Sequence, residues 1–169
     1  LERAAAGADA VGDALWRVRK FAAASTRSSL LAVIHAESGR FDDALTAFSV
    51  MESTTYSTSS AWLKAWLLAA AGRDHEAAAA LASFDAPLGD DWYRTPLIVA
   101  AVLAAAEIGD TDFLGRHLGE LTPVADRFVC LGSGGIVLGP VAHALARGHH
   151  ALGEIDEART RAVQALDLS

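Results

Sequence analysis

A glycine-rich run from Gly132 to Gly139 and three nearby histidines, His143, His149 and His150, are the residues of this chain whose types and spacing come closest to chemistry. Backbone N–H groups of a glycine-rich loop can cradle an anion. A P-loop, however, needs a lysine and a hydroxyl residue directly after its last glycine, and here Pro140 follows Gly139. A dinucleotide fingerprint fails as well, because Val137 stands three residues beyond Gly134. His143 and His150 lie seven residues apart, two helical turns, too far for both rings to reach one metal without a third element. Ser133 lies in Gly132-Ser133-Gly134, which lacks the Gly-x-Ser-x-Gly elbow of a nucleophilic serine. Cys130 sits in an apolar stretch, where a thiol is expected to pack and stay inert. The residues assign no catalytic centre, no metal and no cofactor.

The aromatic residues point to recognition instead. Trp62 and Trp66 are four residues apart and share a helical face, while Trp92, Tyr93 and Arg94 stand together on an expected loop. Tryptophan, tyrosine and arginine are enriched among the anchors of protein interfaces. The competing reading of the two helical tryptophans is packing between neighbouring hairpins. Arg127, ahead of the glycine-rich run, and Ser133, within it, complete the set of candidate partner- or ligand-binding residues.

Composition narrows the class. The 169 residues are 52% hydrophobic with only four prolines, enough to bury a core, and 37 alanines favour helix. Fourteen basic against 21 acidic residues leave a net charge of -7, which repels phosphate backbones and argues against direct nucleic-acid contact. One cysteine excludes an internal disulfide and fits a reducing, cytoplasmic setting. The longest apolar run, Leu97 to Ala106, is ten residues, half of what a membrane-spanning helix requires, so it predicts a buried core helix. The first residues, Leu1-Glu2-Arg3, carry neither an initiator methionine nor a targeting pattern, and the chain reads as a piece of a longer protein.

The elements that position these residues follow from a repeat. Gly39, Gly72, Gly109 and Gly153 recur at intervals of 33, 37 and 44 residues. Each is followed at plus five, nine and twelve by small or apolar residues: Ala44/Phe48/Met51, Ala77/Leu81/Phe84, Leu114/Leu118/Leu121 and Ala158/Ala162/Ala165. Periods in this range mean stacked helical hairpins, with glycine where one helix stops and the chain turns back. The expected organisation is a single all-α domain over 1–169. It comprises an N-terminal helix within 1–27, closed by the polar stretch Ser25 to Ser29, then hairpins at 28–53, 59–84, 96–121 and 140–168. A glycine-rich insertion at 122–139, read as a small hairpin or irregular lid, lengthens the last interval. Gly115 and Gly119, one turn apart inside a helix, predict close packing of another backbone.

The phrases Gly39-Arg40-Phe41-Asp42-Asp43-Ala44 and Gly153-Glu154-Ile155-Asp156-Glu157-Ala158 resemble the second half of tetratricopeptide repeats. The resemblance covers roughly residues 28 to 169. It is good in second helices and poor in first helices, where the large apolar position eight before each glycine holds Leu31, Lys64, Ala101 and Leu145. Pro123 to Val129, followed by Gly132 to Pro140, is similar to the C-terminal helical-repeat region of large bacterial ATP-binding regulators, LuxR-type activators and their cyclase-linked relatives.

The resemblance implies a tetratricopeptide-like α-solenoid of about four hairpins. It further implies a non-enzymatic regulatory or protein-interaction domain of a larger signalling protein, an ATP-binding transcriptional regulator. Its partners would be a protein, a peptide or other domains of the same chain, with neither nucleic acid nor membrane contacted directly. Two alternatives stay open: a small-molecule sensor with a pocket under the 122–139 segment, and the scaffold of a cyclase-linked ATPase.

Overall fold

Gly39, Gly72, Gly109 and Gly153 all adopt the left-handed conformation, with φ of 71°, 71°, 76° and 79° in the computed structural model. That region costs an L-residue with a Cβ about 1–2 kcal/mol, so glycine is the residue that closes a helix there. The Gly39 N–H donates to Ala36 O and the Arg40 N–H to His35 O, both at 2.9 Å. The same pair recurs from Gly72 to Ala69 and Arg73 to Leu68 (2.9 Å each), and from Gly153 to His150 (3.0 Å) and Glu154 to His149 (2.9 Å). At Gly109 the longer bond runs from Asp110 to Ala105 at 2.9 Å. These bonds satisfy carbonyls that a helix end otherwise leaves orphaned.

The structure describes residues 4, 6–7, 20–52, 57–83, 94–131 and 136–169. Among them eight α-helices follow one another: α1 (Lys20–Glu37), α2 (Phe41–Glu52), α3 (Ser57–Ala70), α4 (Asp74–Ala82), α5 (Arg94–Ile108), α6 (Thr111–Leu121), α7 (Val141–Ala151) and α8 (Ile155–Leu168). A 3-10 turn, Thr122–Val124, and strands β1 (Phe128–Leu131) and β2 (Ile136–Pro140) lie between α6 and α7. The strands pair antiparallel, Phe128 with Pro140 and Cys130 with Val137, with a bulge between Val129 and Cys130. The protein is therefore mostly helical with one small sheet. Among the described residues the 122–139 segment carries a small β-hairpin, one of the two forms expected of it, and the other regular elements are helices.

Each glycine-closed pair packs together: α1 on α2, α3 on α4, α5 on α6 and α7 on α8. The first helices also touch, α3 with α5 and α5 with α7. Helix α5 is the centre. Its residues Leu97 to Val102, with Ala104 and Ala105, are buried, which is why this run is apolar on every face. The main core joins it to α3, α4, α6 and α7 through Trp62, Leu81, Phe113, Leu118 and Leu145. A smaller core of Ala32, Ala36, Ala44, Phe48 and Leu67 ties α1 and α2 to α3.

The predicted stripes fall largely as expected. The plus-five residues Ala44, Ala77 and Leu114 are fully buried and Ala158 nearly so. At plus nine, Phe48, Leu81 and Leu118 are buried, but Ala162 is exposed, beside the exposed Val163 and Leu166 of α8. Leu121 and Ala165 at plus twelve are buried, whereas Phe84 and the Met51 side chain lie outside the described residues.

Two expectations need correction. The polar stretch Ser25 to Ser29 does not end a helix, because α1 runs straight through it. Most of the expected 1–27 helix lies outside the described residues, but those from Lys20 onward belong to the same helix as Leu30 to Ile34. Serine costs a helix only a few tenths of a kcal/mol more than the better formers, and Ser28 is buried. Gly115 and Gly119 are not close-packed: a Cβ at either would meet nothing within 4 Å, and both are exposed. The glycine that does admit a neighbour is Gly148 on α7, where a Cβ would stand 2.5 Å from Leu118 Cδ2.

Opposite signs of substitution follow. Gly72→Ala should destabilise the protein by about 1 kcal/mol or more, because the added Cβ strains a left-handed turn. Gly115→Ala should stabilise it by about 0.5–1 kcal/mol, since it removes backbone entropy from an exposed helix with room to spare. Gly148→Ala should fall short of that gain. Thermal unfolding followed by circular dichroism checks all three.

Candidate functional site

Helix α6 is started by Asp110, whose carboxylate accepts from the Phe113 N–H at 3.0 Å. This cap fixes the register in which Phe113, His117 and Glu120, at i, i+4 and i+7, share one face. The three act together. The Phe113 and His117 rings stack at 4.3 Å with a 35° tilt, and His117 Nδ1 lies 2.8 Å from Glu120 Oε1. Trp62 on α3 lies across both rings, edge-on to Phe113 at 5.6 Å and to His117 at 5.8 Å. Arg94, at the start of α5, pairs through Nη2 with Glu120 Oε2. Burial would raise the Glu120 carboxyl, but the hydrogen bonds from His117 and Arg94 outweigh it and hold the group below the ordinary carboxylate range. One face of α6 thus ties the third hairpin to the first helix of the second.

Beside this filled seam lies an open one. A groove of about 400 Å³ runs between α3 and α4, walled by Ala61, Lys64 and Leu68 on one side and by Glu76, Ala79, Ala80 and Ser83 on the other. Its origin is visible in the sequence. Eight residues before the turn glycine, the third and fourth hairpins place Ala101 and Leu145, both fully buried, whereas the second places Lys64. The alanine run Ala77 to Ala80 then supplies no bulk from α4. At the rim, Glu76 accepts from Arg73 Nε at 2.7 Å and Nη2 at 2.6 Å. The arginine hydrogen bond, helped by the Lys64 charge, holds the Glu76 carboxyl low.

The candidate residues fare differently. Trp62, 4% exposed, is a core residue, and its ring is spent on α6 instead of facing a partner. Trp66 is half-buried at the junction of the two cores. Arg94 belongs to the Glu120 network. Arg127 is an exposed side chain whose backbone carbonyl accepts from the Val141 N–H at 2.9 Å, closing the base of the β-hairpin. Trp92, Tyr93 and Ser133 lie outside the described residues. The structure brings Trp62 and Arg94 to opposite ends of one network and leaves Trp66 and Arg127 apart from it.

Other chemical candidates do not converge. Among the described residues, no three His, Cys, Asp or Glu side chains gather as a metal site. His143 and His150 are exposed, and His149 Nδ1 is engaged by Glu154 Oε2 at 2.5 Å. Cys130 is exposed and not packed, because the strand turns Val129 inward to the core and Phe128 and Cys130 outward. No family model, curated protein or solved structure matches the chain.

Two measurements follow. Trp62→Ala should cost about 3–5 kcal/mol, as for other buried tryptophans, since it empties the seam between α3 and α6. The depressed Glu120 carboxyl contributes stability that is present above the ordinary carboxyl value of 4.5 and lost as pH falls through the lower folded value. The stability difference between the wild type and Glu120→Gln should therefore be largest near neutral pH and shrink as the pH falls below 4.5. Urea unfolding at several pH values reads both.

Proposed function

We propose that this chain is a tetratricopeptide-like stack of four helical hairpins that serves as the regulatory, protein-interaction arm of a larger signalling protein. The observation that carries the reading is the fourfold recurrence of one closing device, a left-handed glycine with its capping bonds, followed each time by a buried small residue five positions on. Contacts between successive first helices, α3 with α5 and α5 with α7, are those of a stack in which each hairpin touches its neighbours. Such arrays bind partners along extended faces and need no reactive centre to do so.

Regulation in this reading is a difference in affinity. A partner that binds one arrangement of the parent better than another shifts the balance between them, and by no more than that difference. The likeness of the 123–140 passage to repeats of ATP-binding regulators supports a transcriptional regulator as the parent. The net charge of -7 fits an arm that leaves DNA contact to another domain. No helix among the described residues is long and apolar enough to cross a membrane.

The test is deletion of these residues from the full-length parent, with the parent's output followed with and without its inducing signal. The reading predicts an output that no longer responds to the signal, locked high or low. An output that responds as in the intact parent would contradict it.

A further inference from the structure

Helix α8 carries a large apolar residue at three points where its counterparts carry none. Ile155, Val163 and Leu166 stand two, ten and thirteen residues after Gly153 and are 55%, 53% and 75% exposed. After Gly109 the same offsets hold Thr111, Gly119 and Thr122, and after Gly72 the first two hold Asp74 and Ala82, all of them exposed. The three apolar residues, with Arg159 among them at plus six, form one stripe about 16 Å long on the outside of α8. Single exposed apolar residues are ordinary, but an aligned set marks a contact.

A further hairpin is not what this stripe fits. The first helices α3 and α5 place Trp62 and Val99 ten residues before the turn glycine, Trp66 and Leu103 six before it, and Ala69 and Ala106 three before it. From the first of these positions Trp62 reaches α6 of the next hairpin. Helix α7 places His143, Arg147 and His150 there, all exposed. At plus nine, where Phe48, Leu81 and Leu118 are buried, α8 has the exposed Ala162. The side of the fourth hairpin that would meet another hairpin is thus polar or small, and the apolar stripe serves a different contact.

We propose that the stripe on α8 pairs with the same stripe of a second copy of this chain, the two helices antiparallel across a twofold axis. The charge pattern selects this occupant. Arg159 interrupts the stripe near its middle, and Asp167 borders it one residue beyond Leu166. Among the described residues neither is held in an ion pair, whereas Arg161 is held by Glu157 and His149 by Glu154. With the axis at the middle of the stripe, Ile155 of one copy lies over Leu166 of the other and Val163 over the apolar stem of Arg159. Each guanidinium then reaches Asp167 of the opposite copy. A twofold contact makes every such pairing twice, while a parallel arrangement would set the two Arg159 side chains against each other. One helix pair of this length falls short of the about 1,200 Å² at which standing interfaces begin, so the association is weak, with a Kd on the order of 100 µM. The inference goes beyond the regulatory reading and does not rest on it.

Sedimentation velocity of the chain from about 10 µM to about 1 mM brackets that Kd, and NMR of the labelled chain over the same dilution locates the contact. The expected result is a monomer that converts to a dimer across this range, with concentration-dependent amide shifts confined to α8. Val163→Glu and Leu166→Glu should each weaken association at least about tenfold with helix content unchanged by circular dichroism, since both side chains are exposed. Ala82→Glu, at the point of α4 equivalent to Val163, should leave association as it is. Arg159→Asp should weaken it about fivefold, and adding Asp167→Arg should restore it, because the exchange rebuilds both ion pairs with their signs reversed. A chain that stays monomeric to about 1 mM, dilution shifts that lie elsewhere than α8, or a double variant no better than Arg159→Asp would overturn the proposal.

Discussion

Four left-handed glycines set the register of everything else in this protein. Because each closes its helix with the same long bond, from the N–H after the glycine to the carbonyl five residues back, the second helix of each hairpin starts at a fixed point. The residue five positions on then always turns inward, whether it is Ala44, Ala77, Leu114 or Ala158. The burial of a hairpin's inner face is thus decided by backbone geometry at one residue before any side chain packs. The hydrophobic term acts on faces that the turns have already aimed.

Within that frame, side-chain size decides which surfaces close. Alanine dominates the interior of α5 and lets α3 and α7 approach it, while a few large residues, Trp62, Phe113 and Leu118 among them, fill what remains. Gly148 shows the limit: it yields the space that Leu118 occupies between the third and fourth hairpins. Where the large residues are missing, as on α4, the same backbone leaves a groove.

Much of the fold was legible in the sequence because its signals are local. A glycine and the apolar offsets behind it lie within one hairpin, so spacing alone reveals them. What escaped was tertiary. Ser25 to Ser29 has the look of a break, yet α1 continues because the helix is held by its packing on α2, with Ser28 buried. Gly115 and Gly119 suggested a close neighbour but face solvent. Packing between hairpins was one of the two readings open for Trp62, but its partners Phe113 and His117, some fifty residues later, have no pattern that names them. The pairing of Arg94 with Glu120 spans 26 residues and has no pattern to announce it. The groove left one trace, Lys64 where neighbouring hairpins bury an apolar residue.

The central claim is that successive hairpins stack on one another through defined contacts. A nuclear Overhauser measurement on the chain in solution tests it most directly. The account predicts cross-peaks between the Trp62 indole and the Phe113 ring, joining the second hairpin to the third, together with cross-peaks between the Leu118 methyls and the Gly148 Hα, joining the third to the fourth. Cross-peaks within each hairpin but none between hairpins would contradict it.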